Sequence, residues 1–294
     1  KNKLIDNEVY KRVKDYSKNR NDLNTYYEVG KLLIEAQGGE ERAKYGDRLI
    51  KEYSERLYNE LGKKYDITTL KRYRQFYLKI EKGAALRHQL SWTHYRELLT
   101  LDNINELNYY VEITIEQNLS YRQLREKIKT KEYQRLDNNT KLKLINKEKL
   151  DIKDNIKNPI VIHNKNNLDK ENISEKVLQR LILEDIPSFL KELGVGFCFI
   201  GSEYKIKIGN TYNYIDLLLF NYIYNCFIVI ELKVCELKKE HIGQIEVYMN
   251  YIDRHIKSIN QDKTIGIIIS RRNNNYYIEY SSDKRILTRE YILT

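Results

Sequence analysis

Two acidic residues stand inside apolar, strand-forming runs in the second half of the chain. Asp216 lies between Tyr214-Ile215 and the apolar run 217–220, and Glu231 follows the apolar run 226–230. A carboxylate in such a run is costly to bury unless a cation or a hydrogen-bond donor compensates it. Any fold of this chain must therefore supply a partner to each acid, and this requirement constrains the fold more than any other feature of the sequence.

The spacing of these acids predicts a metal site. The short segment 221–225 fits a hairpin loop, which would set Asp216 and Glu231 on neighbouring strands. Side chains alternate along a strand, so Glu231 and Lys233 should point to the same face. Carboxylate oxygens suit Mg²⁺ or Mn²⁺, and a bound metal lowers the pKa of its water, which creates a nucleophile for phosphodiester hydrolysis. The alternative interpretation is a structural ion pair between Lys233 and one of the acids.

Further candidate residues lie on the helices predicted before and after these strands. Gln244 is a candidate catalytic residue that contacts a metal-bound water or a phosphate, and Tyr248, one turn later, shares its face and braces it. Glu184, on the preceding helix, is the candidate third metal ligand, with Glu175 as a lesser candidate. His241 is interpreted as a surface residue.

The order of predicted elements in this half is typical of a mixed α/β domain. One helix is predicted over 174–193, with Pro187 as a kink and Gly194 as its stop. Strands are predicted over 196–208, 212–220 and 227–234, then a helix over 238–256, a strand over 264–270 and an edge strand over 276–280.

The front of the chain, residues 1–130, has the periodicity of an all-α domain. Thr68 or Thr69 is the expected N-cap of one helix and Ser91 that of another. A short helix, a turn and a helix from Thr69 onward predict a helix-turn-helix. In this arrangement Lys71, Arg72 and Arg74 would contact DNA phosphates and guanine edges.

Charge is distributed unevenly along the chain. The formal net charge is +10, and residues 1–170 carry all of the excess, with 36 basic against 26 acidic residues. This asymmetry favours nucleic-acid binding by the front half, although drift in composition is an alternative explanation. Residues 131–172, rich in Lys, Asn and Asp, are predicted to be a charged linker between a helical domain (1–130) and an α/β domain (173–294). No apolar run approaches the roughly 20 residues of a membrane span, so a cytoplasmic protein without a membrane partner is expected.

The catalytic pattern resembles the PD-(D/E)xK nuclease superfamily, whose restriction-endonuclease-like core has this order of elements. The usual proline before the aspartate is Ile215 here, a position that varies. More specifically, several blocks resemble the bacterial DUF1016 (YhcG-like) family. These blocks are 26–31, 73–77 and 90–95 in the front half and 193–201, 214–218 and 229–233 in the back half. The resemblance implies a nuclease core that acts on DNA, joined to a helix-turn-helix-like N-terminal domain.

The sequence therefore predicts a metal-dependent DNA endonuclease. Asp216, Glu231 and Glu184 are the expected ligands of Mg²⁺ or Mn²⁺, and Lys233 and Gln244 the expected assisting residues. A non-catalytic DNA-binding adaptor with a structural nuclease fold and an RNA-directed nuclease are the alternatives. The sequence is compatible with a homo-oligomer but does not require one.

Overall fold

The structure, a computed structural model, describes residues 8–15, 22–39, 47–61, 65–164, 168, 173–272 and 283–294. The chain divides into two compact units, Lys1–Tyr133 and Gln134–Thr294. The edge strand predicted over 276–280 lies outside the described residues. No helix among those described is both long and apolar enough to cross a membrane.

Every regular secondary-structure element among the described residues of the first unit is a helix, as the periodicity predicts. Its helices are α1 (residues 8–15), α2 (Leu23–Ala36), α3 (Asp47–Leu61), α4 (Ile67–Glu81), α5 (Trp92–Leu98), α6 (Ile104–Glu116) and α7 (Tyr121–Lys129). A core cluster from α1 to α4 includes Val13, Leu33, Tyr53 and Leu70. The buried residues of each helix recur at intervals of three and four positions, so each helix presents one apolar stripe to the others.

Two predicted helix caps have different outcomes. Ser91 is the N-cap of α5, and its backbone N–H donates to Nδ1 of His94 at 3.2 Å. The prediction of Thr68 or Thr69 as the cap of α4 is wrong. Asp66 is the N-cap, and its carboxylate accepts a hydrogen bond from the backbone N–H of Thr69 at 2.6 Å. Asp and Thr are both good caps, so the helix begins at the first residue that can accept this bond.

Helices α2 and α4 approach each other closely at Gly30. A Cβ atom at this position would stand 2.1 Å from the carbonyl oxygen of Tyr73. We expect Gly30→Ala to destabilise the first unit by about 2 kcal/mol or more, because the clash is with backbone and the helices must separate. Gly243, a helical glycine with open space around it, is the matched control.

Trp92, the single tryptophan, packs against this core, so urea unfolding followed by its fluorescence measures the effect. Gly243→Ala should leave that transition unchanged. An equal transition midpoint for Gly30→Ala and the wild type would contradict the expected clash.

Within the described residues the second unit is built on a six-stranded mixed sheet. Its strands are β1 (Ile160–Ile162), β2 (Phe197–Ile208), β3 (Thr211–Asn221), β4 (Cys226–Glu236), β5 (Asp262–Arg272) and β6 (Ile286–Leu293), in the order β1-β6-β5-β4-β3-β2. Strands β2, β3 and β4 form an antiparallel meander, whereas β4, β5, β6 and β1 are parallel neighbours. The predicted α/β fold class is confirmed.

Helices cover both faces of this sheet. Helices α10 (Glu175–Glu184) and α11 (Ile186–Leu193) pack on one face, and α12 (Lys239–His255) packs on the other. The single helix predicted over 174–193 is therefore two helices. Asp185 interrupts it and caps α11 by accepting from the backbone N–H of Ser188, while Pro187 fits the first turn of α11. Gly194 ends α11 as predicted, with a φ of 119°.

The stretch 131–172, predicted to be a linker, contains ordered structure. It forms helices α8 (Asn138–Asn146) and α9 (Ile152–Asn155) and strand β1, which pairs with β6. Ile152, Ile156, Ile160 and Ile162 are buried in the core of the second unit. The described residues after 133 therefore belong to the second unit and are not a free tether. Lysines and asparagines between these apolar positions conceal the pattern in the sequence.

Candidate active site

The strands β3 and β4 separate at Asp216. Their pairing begins at Asn221↔Cys226 and ends at Leu217↔Ile230, so continued pairing would place Asp216 opposite Glu231. Instead, Oδ2 of Asp216 accepts a hydrogen bond from the backbone N–H of Leu232 at 2.7 Å. The side chain thereby takes the place of a backbone partner in the ladder, and the two acids meet at the point where the strands diverge.

Glu231 and Lys233 lie together, as their spacing predicts. The Nζ atom of Lys233 is 2.9 Å from Oε1 of Glu231. Both residues are buried, with 2% of Glu231 and 8% of Lys233 exposed. The second carboxylate oxygen of Glu231, Oε2, is also buried and has no hydrogen-bond partner among the described residues. An unpaired buried anionic oxygen is unfavourable on its own, so this atom is available to a cation.

Burial sets the electrostatics of the acids. Burial, followed by the charge of Asp216, raises the pKa of Glu231 to about 7, although Lys233 acts in the opposite direction. Burial also raises the pKa of Asp216, against the hydrogen bond from Leu232 and the charge of Lys233. For Lys233 burial opposes the charged form, but Glu231, Glu175 and Asp216 outweigh it and raise the pKa. The lysine is therefore protonated at neutral pH and faces carboxylates whose charged forms are disfavoured by burial.

Helix α10 presents Glu175, rather than Glu184, to this group. Oε2 of Glu175 is 3.4 Å from Nζ of Lys233. Glu184 is at the other end of the helix, where it forms an ion pair with Arg180 at 3.7 Å. Nine residues of an α-helix rise about 13 Å and rotate the side chain to about the opposite face. Helical geometry therefore separates Glu184 from the ion group, and Glu175 contacts Lys233 in its place.

Gln179 is a functional candidate that the sequence does not single out. It lies one turn after Glu175 on the same face of α10 and is buried. Its Nε2 donates a hydrogen bond to the backbone carbonyl of Asp216 at 3.0 Å. This bond holds Asp216 where it leaves the sheet. A buried glutamine on an apolar helix face gives no signal of this role in the sequence.

Helix α12 supplies the pair that its spacing predicts. Nε2 of Gln244 donates to the hydroxyl of Tyr248 at 3.0 Å. Burial raises the pKa of Tyr248, as do the charges of Glu231 and Asp216, so this tyrosine lies near the acids. His241 caps the same helix by accepting from the backbone N–H of Lys238. Its pKa is lowered by burial and then by Lys233, so it is neutral at physiological pH.

The residues of this site fit a divalent metal ion. Asp216 and Glu231 lie close enough for the charge of Asp216 to raise the pKa of Glu231, and Glu231 has a buried oxygen without a partner in the described part of the chain. Magnesium commonly takes one or two protein carboxylates, with waters and substrate phosphate as its other ligands. No group of three or more His, Cys, Asp or Glu side chains among the described residues is arranged to hold a metal. A metal at this site would therefore rest on Asp216 and Glu231.

In the first unit the predicted DNA-contacting residues lie on α4. Lys71, Arg72 and Arg74 are each partly exposed, and Nη1 of Arg74 donates to Oε1 of Gln37 at 3.3 Å. Arg72 also contributes to a basic group around Glu97, together with Arg96 and Arg125. The sequence does not reveal this group because α4, α5 and α7 bring its members together.

Comparison with known families identifies both halves of the chain. Residues 153–294 match the family described as the YhcG PDDEXK nuclease domain, and residues 5–135 match the DUF1016 N-terminal domain. The chain belongs to the DUF1016 family. The resemblance of the sequence blocks is thereby confirmed, and the second unit is a PDDEXK nuclease domain. Together the two matches leave only residues 1–4 and 136–152 uncovered.

A relative in Escherichia coli K12 carries the name "Putative nuclease YhcG". It is 26% identical over 284 residues, covering 83% of this chain and 75% of the relative. Two solved structures are partly similar. A repair endonuclease from Pyrococcus abyssi has 18% identity and a TM-score of 0.29, covering 40% of this chain and 47% of that one. A complex of EndoMS with double-stranded DNA has 19% identity and a TM-score of 0.31, covering 42% and 48%.

Proposed function

We propose that this protein is a Mg²⁺- or Mn²⁺-dependent DNA endonuclease. Asp216 and Glu231 would hold the metal, Lys233 and Gln244 would assist hydrolysis, and the helical first unit would bind the DNA. The observation that carries this proposal is the buried Oε2 of Glu231, which has no partner among the described residues and belongs to the carboxylate that Lys233 contacts. A buried structural ion pair should leave neither carboxylate oxygen without a hydrogen-bond partner, whereas a metal ligand needs an oxygen that is free to bind the ion.

A bound metal would supply a hydroxide at neutral pH by lowering the pKa of its water. The protein's own residues would do the rest. Lys233, held by Glu231 and Glu175, keeps a positive charge where a phosphate would gain negative charge during the reaction. Gln244, oriented by Tyr248, offers its amide as a hydrogen-bonding group. Asp216 is fixed from two sides, by Leu232 and by Gln179, so its position does not depend on the substrate.

The role of Gln179 predicts a loss of metal affinity. Gln179→Leu should weaken Mn²⁺ binding by about 10- to 100-fold, because residues that orient a metal ligand typically contribute this much. Calorimetric titration of the full chain with Mn²⁺ measures the effect. Arg180→Gln, an exposed change on the same helix, is the control and should bind Mn²⁺ as the wild type does. Unchanged affinity in Gln179→Leu would contradict the positioning role.

The role of the first unit predicts a salt-dependent defect. Lys71→Gln combined with Arg72→Gln should weaken binding of duplex DNA. The slope of log affinity against log salt should fall by about 1 for each phosphate that these side chains neutralise in the wild type. Lys11→Gln with Arg12→Gln removes the same charge from exposed positions on α1 and is the matched control. Equal salt slopes in the two double variants would contradict binding through α4.

A cleavage assay tests the proposed function directly. Linear, supercoiled and branched DNA and RNA of the same sequences are incubated with the full chain in Mg²⁺, Mn²⁺ or EDTA. We expect metal-dependent cleavage of DNA, abolished by Asp216→Ala and by Glu231→Ala while DNA binding is retained. A wild type that binds DNA but cleaves nothing with either metal would instead be an adaptor. Preferential cleavage of RNA would replace DNA as the substrate.

A further inference from the structure

Strands β2 and β3 extend beyond the sheet as a two-stranded arm. They pair from Phe197↔Asn221 to Ile208↔Thr211, whereas β3 pairs with β4 only over residues 217–221. Residues 202–216 therefore form a ribbon in which β3 has one partner strand among those described. The arm starts at Asp216, so one of its ends lies at the candidate active site.

One face of the arm is anchored to the second unit. Ile206 is buried among residues of α12, and Tyr204 and Ile208 pack against the same cluster. The backbone N–H of Lys207 also donates to the hydroxyl of Tyr251 on α12, at 3.5 Å. Because contacts with the helix recur along the arm, it is held in place before any ligand binds.

The other face of the arm presents two lysines and two tyrosines. Lys205 pairs across the strands with Tyr214, and Lys207 with Tyr212, so all four side chains share one face. Each tyrosine is 52% exposed, and both lysines are exposed. The Nζ atom of Lys205 lies 3.8 Å from the centre of the Tyr212 ring. Two acids, Glu203 and Asp216, stand at the base of the arm. The sequence has no acidic residue between them on the arm, so the outer part of this face is positively charged.

We propose that this arm binds an unpaired stretch of the DNA substrate next to the active site. Lysines about 7 Å apart would contact successive phosphates, and the tyrosine rings would stack on bases. Exposed rings on a flat basic surface fit unpaired bases, because a duplex keeps the faces of its bases stacked inside. Tyr214 is two residues from Asp216, so a DNA strand bound along the arm would reach the proposed metal ligands. This inference rests on the proposed function, since it assigns the DNA form that the site receives.

Binding is measured with the full chain in EDTA, so that no cleavage occurs, on a labelled single strand and on its duplex. Tyr212→Leu with Tyr214→Leu, and separately Lys205→Gln with Lys207→Gln, should weaken single-strand binding by about tenfold or more. Duplex binding should change less than twofold. Tyr212→Phe with Tyr214→Phe keeps the rings and should bind as the wild type does.

Two controls match the arm variants. Tyr222→Leu changes an exposed tyrosine beyond the other end of β3, and Lys263→Gln changes an exposed lysine at the start of β5. Both should bind single strands as the wild type does. Arm variants with wild-type single-strand affinity, or with equal losses on single strand and duplex, would overturn the proposal. Because binding is read without metal, a wild type that binds single strands through the arm but never cleaves DNA refutes the proposed function alone.

Discussion

Glu231→Gln should reduce DNA cleavage by at least about 1,000-fold, because it removes a carboxylate that would hold the metal. A loss of this size corresponds to about 4 kcal/mol of transition-state stabilisation. The same change should stabilise the metal-free protein at alkaline pH. The neutral amide keeps the shape of the side chain but removes the carboxylate charge that burial disfavours. If Glu231→Gln both increases stability and abolishes activity, Glu231 serves the reaction and does not stabilise the fold.

The pH dependence of this effect has a defined sign. The pKa of Glu231 is about 7 in the folded protein and 4.5 without the protein environment, so the folded state holds this proton more tightly. Its contribution to stability is complete below about pH 4.5 and is lost as the pH rises through 7. The difference in unfolding free energy between Glu231→Gln and the wild type should therefore grow by about 3 kcal/mol between pH 4.5 and pH 8, since one pKa unit corresponds to about 1.4 kcal/mol.

Calorimetry in EDTA measures this difference on the unfolding of the second unit, which contains Glu231. Trp92 fluorescence does not follow that transition, because the single tryptophan is in the first unit. In a second series without EDTA, Mn²⁺ should stabilise the wild type and leave Glu231→Gln nearly unchanged. A stability difference that does not vary with pH would contradict the raised pKa. Stabilisation of both proteins by Mn²⁺ to the same extent would contradict Glu231 as a ligand.

Removal of residues before 173 should abolish folding of the second unit, whereas removal of residues before 134 should not. The segment 134–172 buries Ile152, Ile156, Ile160 and Ile162 in the core of that unit. Burial of each such side chain contributes about 1.5–3 kcal/mol, so the four together contribute about 6–12 kcal/mol. This amount is comparable to the whole stability of a typical domain.

Circular dichroism and urea unfolding of the fragments 134–294 and 173–294 test this prediction. The longer fragment should unfold cooperatively, and the shorter one should lack a transition. Ile160→Asp in the full chain places a charge in the same core position and should destabilise the second unit without truncation. A cooperative transition in 173–294 with the midpoint of the longer fragment would show that the segment is a tether after all.

The contrast between these regions shows what the sequence can predict. The meander β2–β4 and the Glu231–Lys233 contact follow from local rules, because alternation along a strand decides which side chains share a face. Strands β1 and β6 do not follow from such rules. The first has three residues, and the second carries Arg289, which is buried and donates to the carbonyl of Ile156 at 3.0 Å. A buried arginine argues against a strand when only the sequence is known. The contact with Ile156, which makes its burial possible, is distant in the sequence.

The third acid illustrates a different limit. Glu175 and Glu184 are both glutamates on the same predicted helix, and the choice between them depends on which end of α10 meets the sheet. That end is fixed by the break at Asp185 and by packing on the core, neither of which periodicity reveals. Gln179 and the basic group around Glu97 are hidden in the sequence for a similar reason, because their roles arise from contacts between elements.

The position of β6 has a consequence for synthesis of the protein. This strand lies between β5 and β1 and pairs with a segment that the ribosome produces about 130 residues earlier, as in Ile160↔Tyr291. A nascent chain that already carries Asp216 and Glu231, the candidate metal ligands, therefore still lacks the strand that joins β5 to β1 in the sheet. Closure of so long a loop is slow, and chains interrupted before residue 286 should be substrates for proteolysis rather than partial nucleases.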